Sequence, residues 1–449
     1  MSTVAAQALP VLGLFVPACN PPTFVRLQLL AVAAVLTTGR RTVCNLLRTL
    51  GHLAQGAPSS YHRVLSEAHW SGLRLAALLA RFLLRHCWPQ GAVPLVGDDT
   101  VSAHPGKKVY GKARHRDPVR SSHSYTAWRW GHKWVVLAVL VRFPFAQRPW
   151  VLPVLVALYR SEDDNRRRGR PHKTPAQVMQ VLLRLLLRWF PDRTFRFAGD
   201  QGYGSHDMAD FARRTQGRLH LVSKFHPRAN LYEPPPPVVG KKPNGRPRKK
   251  GVKLPGPQEV VAHSARTCLN VAWYGGGRRD VEVVSGSGHW YKGGVGLVAV
   301  RWVYVHDRTG THRDEYFYST DLTLTPAEVI ETYARRWNIE TTFAEMRAYL
   351  GLETTRGRCA NTVLRAEPCL FGLYSVVTLW YAQLPAEAQD EPGVNWEGKA
   401  TVTFSDAITA VRRWLWTDWV FATGGHESTF AKLPEPLRRT LLYVLAPAA

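Results

Sequence analysis

Three carboxylates stand where chemistry at phosphorus would need them. Asp99 ends the apolar run in LVGDDT (95–100), Asp200 ends that in FRFAGDQGYG (195–204), and Glu340 lies in YARRWNIETTFAEMR (333–347). The first two read as strand ends followed by turns, and strand ends opening on a shared crevice are where an α/β sheet places its site. The third reads as helical. Tyr333, Arg336, Glu340 and Arg347 are spaced by 3, 4 and 7 residues, which at the helical step puts them within about 60° of one another. Ile330 and Trp337 fall close to Tyr333 on the same wheel, so the polar stripe borders a packed face and can approach a sheet. Glu345, about 120° from Tyr333, is the poorer candidate. Three carboxylates suit two divalent cations about 3.5–4 Å apart, which take oxygen ligands and keep positions open for water and phosphate. One cation would activate the attacking oxygen and the other would stabilise the leaving one. Arg336 and Arg347 would grip backbone phosphates.

The elements that must position these groups can be read around them. Apolar runs rich in β-branched residues predict strands over 93–99, 133–142 and 150–159. A helix over 175–190 with Pro at its start, a strand over 195–198, a helix over 207–215 and a strand over 218–224 follow. That order gives a mixed α/β core with at least one crossover. Beyond Phe225 a Pro, Lys and Arg-rich stretch cannot be helix or central strand, and short β-like segments at 270–274, 281–284, 296–306 and 315–319 form a β-rich insertion. Thr325 as N-cap, Pro326 and Glu328 start a helix expected to run through Leu350. Residues 23–88 and roughly 360–445 read as helical, and Arg40, Arg41, Arg48, His62 and Arg63 in the first region suit either a helix-turn-helix-like DNA reader or a plain helical packing domain. The expected divisions are a helical DNA-binding region at 1–90, a catalytic core at 91–225, the insertion at 226–325, the final catalytic helix at 326–358 and a helical region at 359–449.

Composition bounds the partner. The 449 residues hold 59 Lys and Arg against 33 Asp and Glu, a net charge of +26 that points to a polyanion. An apolar content of 45 % excludes a mostly disordered chain. Six cysteines without a CxxC pair exclude a zinc ribbon and a dense disulfide framework. The N-terminus lacks the basic segment of a signal peptide, and the apolar runs at 27–36 and 371–384 are too short to span a bilayer. The expectation is a soluble intracellular protein.

DDT at 98–100, GDQGYG at 199–204 and YARRWNIETTFAEMR at 333–347 resemble the cut-and-paste insertion-sequence transposases, which carry an RNase H-like DDE catalytic domain and a YREK signature. The resemblance spans roughly 93–350. It implies an RNase H-like mixed-sheet core interrupted by the β-rich insertion, with Asp99, Asp200 and Glu340 as the catalytic triad binding two Mg2+ or Mn2+ ions. Tyr333 and Arg336 would hold phosphates near the cut, and Arg347 stands where the signature has lysine. Asp98 precedes Asp99; the family aspartate directly precedes Thr, which selects Asp99. In this family an aromatic of the insertion stacks on a flipped base, and Tyr316 is the match, with Trp302, Phe317 and Tyr318 as competitors. The implied partners are double-stranded DNA, as inverted-repeat ends and target, and a second copy of the chain. The implied location is the bacterial cytoplasm, at the nucleoid.

Two basic regions add to this reading. Lys107, Lys108, Lys112 and Arg114, followed by Arg116 and Arg120, would contact phosphates beside the site. The segments 166–173 (RRRGRPHK) and 244–251 (NGRPRKKG) hold Arg-Pro cores similar to minor-groove-binding AT-hooks, with Arg168 and Arg170 in the full RGRP; solvated basic loops are the other reading of both. The whole predicts a transposase that cuts element ends and joins the 3′-hydroxyls to target DNA. Its rivals are an RNase H-like nuclease without strand transfer, such as a junction resolvase, and a domesticated DNA-binding protein without activity.

Overall fold

The structure, a computed structural model, describes residues 10–117, 120–122, 124–237, 248–390 and 401–447. The expected α/β core is present, its centre being β1 (Val93–Ala103). The short β2 (Ala113–Arg116) and the long β3 (Trp128–Val141) and β4 (Trp150–Tyr159) follow it. The β-branched run of β3 is buried from Trp134 to Val139, as a strand covered on both faces must be. β1 is antiparallel to β3, and β3 to β4. The chain then crosses over through the helix Pro175–Trp189 to β5 (Phe195–Gly199), parallel to β1, and through the helix His206–Arg213 to β6 (Leu219–Lys224), parallel to β5. Thr174 and Gln177 close a capping box on the first crossover helix, whose Met179, Leu182, Leu183 and Leu186 are buried.

The β-rich segment extends this sheet. β7 (Leu231–Tyr232), β8 (Thr267–Ala272), β9 (Arg278–Lys292), β10 (Gly296–Asp307) and β11 (Glu315–Ser319) continue it, with β11 antiparallel to β6. Among the described residues the eleven strands make one sheet, ordered β2-β3-β1-β5-β6-β11-β10-β9-β7, with β4 also on β3 and β8 also on β9. β9 is far longer than the run at 281–284 suggested, because its polar half pairs with β10 all the way to Lys292.

Helices flank the sheet at both ends of the chain. Of the N-terminal helices Pro21–Leu36, Val43–Leu50, Pro58–Ser66 and Gly72–Cys87, the last two pack on the C-terminal Ala360–Gln383 and the first on Phe404–Trp414. Arg412, buried, donates to Val35 O at 2.8 Å and Tyr349 O at 3.1 Å, which ties the two ends to the core. Arg41 is likewise buried and donates to Gly39 O at 2.7 Å, so it is not a free reader of DNA. All six cysteines are unpaired. Among the described residues no helix is long and apolar enough to cross a membrane.

Candidate functional site

The two adjacent aspartates of β1 point to opposite faces of the sheet, as strand alternation requires. Gly97 and Asp99 share one face. A Cβ on Gly97 would meet Phe197 and Met179 of the crossover side. Asp99 there pairs with Lys133 Nζ at 2.8 Å and accepts from the Tyr203 hydroxyl at 3.1 Å. Asp98 and Thr100 share the other face. Asp98 accepts from Arg336 Nη1 at 3.1 Å, and Thr100 meets Arg347. Asp98 therefore faces the helix that carries Glu340, whereas Asp99, the residue selected by the DDT match, faces away from it.

Asp200 follows β5, and because Gly97 and Gly199 are paired, it emerges beside Asp98. It caps the short turn Gln201–Tyr203, its carboxylate accepting from Gly202 N at 2.9 Å. Ser223 of β6 donates to Asp200 O at 2.8 Å and fixes the turn.

Glu340 reaches the crevice by a helix that is not continuous. Pro326–Arg335 and Asn338–Tyr349 are separate helices joined at Arg336 and Trp337. Arg336 N bonds to Tyr333 O and Trp337 N to Ala334 O, at 3.0 and 3.2 Å, so the chain tightens to three-residue bonding there. Asn338 contributes by turning its side chain onto Arg335 O at 2.9 Å. The tightened turn presents Arg336 to two carboxylates, Asp98 at 3.1 Å and Glu340 at 3.6 Å. It also leaves Trp337 47 % exposed, edge-on to Tyr274 of the β-rich segment.

The electrostatics follow from this crowding. Burial raises the Asp98 carboxyl to about 7; Arg336 opposes the rise, and Asp200 and Asp99 add to it. Burial also raises Glu340, against Arg336 and with a smaller push from Asp200. Tyr203 is driven well above the ordinary phenol range by burial and by the three aspartates. Asp98 and Glu340 share the Arg336 guanidinium, and Asp200 acts on both carboxyls as a like charge. Among the described residues no three His, Cys, Asp or Glu side chains lie close enough together to hold a metal ion, and it is Arg336 that bridges Asp98 to Glu340.

The remaining sequence candidates are distributed unevenly. Tyr333 is buried against Phe317, ring centres 4.4 Å apart, beneath Arg336 rather than open to a phosphate. Arg347 is held by Glu353 at 3.0 Å and by Thr100. Glu345 is engaged by Arg148 and Tyr374, each at 2.6 Å, away from the crevice. Tyr316 packs on Tyr304, and alternation along β11 puts it on the face opposite Phe317 and Tyr333, so it does not enter the crevice. Its competitors Trp302, Phe317 and Tyr318 are buried. Lys107, Lys108 and Arg114 are exposed, while Lys112 donates to Gly106 O at 2.6 Å. The first AT-hook-like segment begins inside a helix, Glu162–Arg167, and Arg168 is paired with Asp164 at 3.1 Å; Arg170 is exposed. Residues 244–247 of the second such segment lie outside the described residues. Sequence reasoning missed Lys133, Tyr203 and the exposure of Trp337. Only the Tyr in GDQGYG carried a signal, as an aromatic one turn beyond a catalytic-looking aspartate.

Comparison with known proteins agrees in class. Among curated proteins none matches the chain. A solved piggyBac transposase synaptic complex with hairpin DNA is similar at 11 % identity and a TM-score of 0.40, covering 95 % of this chain and 77 % of that one. Residues 297–359 match the family described as "Archaeal putative transposase ISC1217". Residues 15–280, more than half of the chain, match the family described as "DDE superfamily endonuclease", and the chain belongs to that family.

Proposed function

We propose that the chain is a DNA transposase that cuts the ends of its own element and joins the freed 3′-hydroxyls to target DNA. The observation that carries this reading is the grouping of Asp98, Asp200 and Glu340 around Arg336 on one side of β1. Asp98 takes the place that the DDT match gave to Asp99. Two Mg2+ or Mn2+ ions, when bound, supply activation of the attacking oxygen and stabilisation of the leaving one. Asp98, Asp200 and Glu340 are the residues that would hold them. Arg336 pairs with Asp98 and Glu340 and would supply a guanidinium to the scissile phosphate beside them. Asp99, through Lys133 and Tyr203, fixes the far side of the strand on which Asp98 sits. Exposed Lys107, Lys108, Arg114 and Arg170 track phosphates, and two copies bring two ends together.

A denaturing-gel assay with Mg2+ on DNA bearing the gene's own flanks tests this. The wild type is expected to nick at the element boundary. Asp98→Asn, Asp200→Asn and Glu340→Gln are expected to bind the same DNA without cutting, whereas Asp99→Asn keeps measurable cleavage. Cutting by Asp98→Asn at the wild-type rate would remove the assignment. Cleavage without strand-transfer product would reduce the reading to a nuclease.

A further inference from the structure

We infer that the outer edge of the sheet, formed by Trp128, Trp130, Lys112, Arg114 and Arg116, binds unpaired nucleotides of a DNA strand. The inference rests on the DNA-processing reading above and names a second surface for it. β2 and the start of β3 alternate, so that Arg114 lies directly opposite Trp130, and Arg116 opposite Trp128. Arg114 and Arg116 are exposed, as are both tryptophans, at 52 % for Trp128 and 59 % for Trp130. Among the described residues the one other exposed tryptophan is Trp337, at the candidate crevice. The cations lie against the rings: the Arg114 guanidinium is 4.8 Å from the centre of Trp128, and Lys112 Nζ is 5.8 Å from that of Trp130.

This pairing fits unpaired bases better than the alternatives. A duplex hides its base faces and offers phosphates, to which an indole adds little; a base out of the stack offers both a ring to lie on an indole and a phosphate for the neighbouring cation. A protein strand adding to the edge is disfavoured by the charges that β2 carries outward. Nearby acids are already engaged: Asp117 lies 4.0 Å from Arg120, and Glu353 is clamped between Arg129 at 2.8 Å and Arg347 at 3.0 Å. That clamp also links the edge to the crevice. Arg129 stands between the two tryptophans in sequence, Arg347 is on the helix of Glu340, and Glu353 is held at a φ of 83°.

Fluorescence anisotropy on the full chain tests the inference, with an oligothymidine of about 20 nucleotides, long enough for several stacked bases, and a blunt duplex of the same length. The double variant Trp128→Ala/Trp130→Ala is expected to weaken binding of the single strand by about 10- to 100-fold while duplex binding stays within about twofold. The double Trp→Phe variant, which keeps aromatic faces, restores most of the loss. Arg114→Ala/Arg116→Ala flattens the salt dependence of single-strand binding, which the Trp→Ala pair leaves in place. Equal losses on both DNAs, or none on either, overturn the inference but leave the transposase reading intact. Wild-type protein that binds neither DNA overturns both. Light scattering covers the remaining occupant: a wild-type dimer that becomes a monomer on Trp→Ala substitution makes this edge a self-association face and also overturns the inference.

Discussion

At the scale of residues, function turns on which way neighbouring side chains point. Trp337 is exposed one helical turn before Glu340, at the tightened turn that also aims Arg336. An aromatic face there can take a base displaced near the cut, with stacking worth about 1–3 kcal/mol. Trp337→Ala is therefore expected to lower the cleavage rate by roughly 10-fold or more, while Tyr316→Ala, on the far face of β11, leaves it near wild type; equal effects in a cleavage time course would refute the distinction. His115 makes a second prediction. It is buried beside Tyr159 and its Nε2 has no hydrogen-bond partner. Burial, with help from Lys133, lowers its pKa from 6.5 to about 4. The folded protein therefore keeps His115 neutral where the unfolded chain protonates it. The unfolded state binds more protons between those values, so stability is lost as pH falls from about 6.5 towards 4, by up to about 3 kcal/mol for this residue. His104 and His206, lowered chiefly by burial, act in the same direction. His115→Phe is expected to flatten, without abolishing, the fall of urea midpoints over that range.

At the scale of elements, close backbone approach at the site makes glycine a requirement. Gly97 precedes Asp98, and a Cβ on it would lie 2.4 Å from the Phe197 ring and 2.5 Å from Met179 Cε. The methionine can yield, but the Phe197 ring is wholly buried. Gly97→Ala is expected to cost about 1–3 kcal/mol in chemical denaturation and to reduce cleavage by displacing β1. Gly372, in the helix Ala360–Gln383 with nothing near its missing Cβ, is the contrast: Gly372→Ala should stabilise by about 0.5–1 kcal/mol. What sequence could disclose follows the same physics. β3, β4 and β5 were legible because buried strands need continuous apolar, β-branched runs, and the start at Thr325 was legible from its capping box. The orientation of Asp98 against Asp99 was not, because β1 is packed on both faces and its pattern shows no polar side. The break at Arg336 and Trp337 was hidden among residues that all suit a helix. β2 was missed because ARHR is short and basic. The helix Glu162–Arg167 had a readable signal, Ser161 as N-cap followed by three acids, that the arginines after it obscured. The joining of β11 to β6 spans some ninety residues, and no local pattern announces a pairing so distant.

At the scale of the whole molecule, the charge of +26 must be exercised on a polyanion or it only repels itself. The structure divides the cations into two classes. Arg41, Arg336 and Arg412 are buried and spent on carbonyls or carboxylates, and Arg168 is tied to Asp164. Lys107, Lys108, Arg114 and Arg170 are exposed at the surface, Arg114 lying over Trp128. If the second class meets phosphates, each contact releases counterions, and the logarithm of duplex affinity falls against that of salt by about 0.9 per phosphate. Between about 50 and 200 mM salt, 6 to 10 such contacts would remove roughly 10³- to 10⁵-fold in affinity. Lys107→Ala/Lys108→Ala is expected to reduce the slope by up to about 2, whereas Arg168→Ala leaves it unchanged, since that guanidinium is already neutralised. A wild-type slope near zero would mean that the surface charge does not grip the DNA backbone, and an Arg168→Ala effect matching that of a free lysine would mean that the Asp164 pair opens on binding.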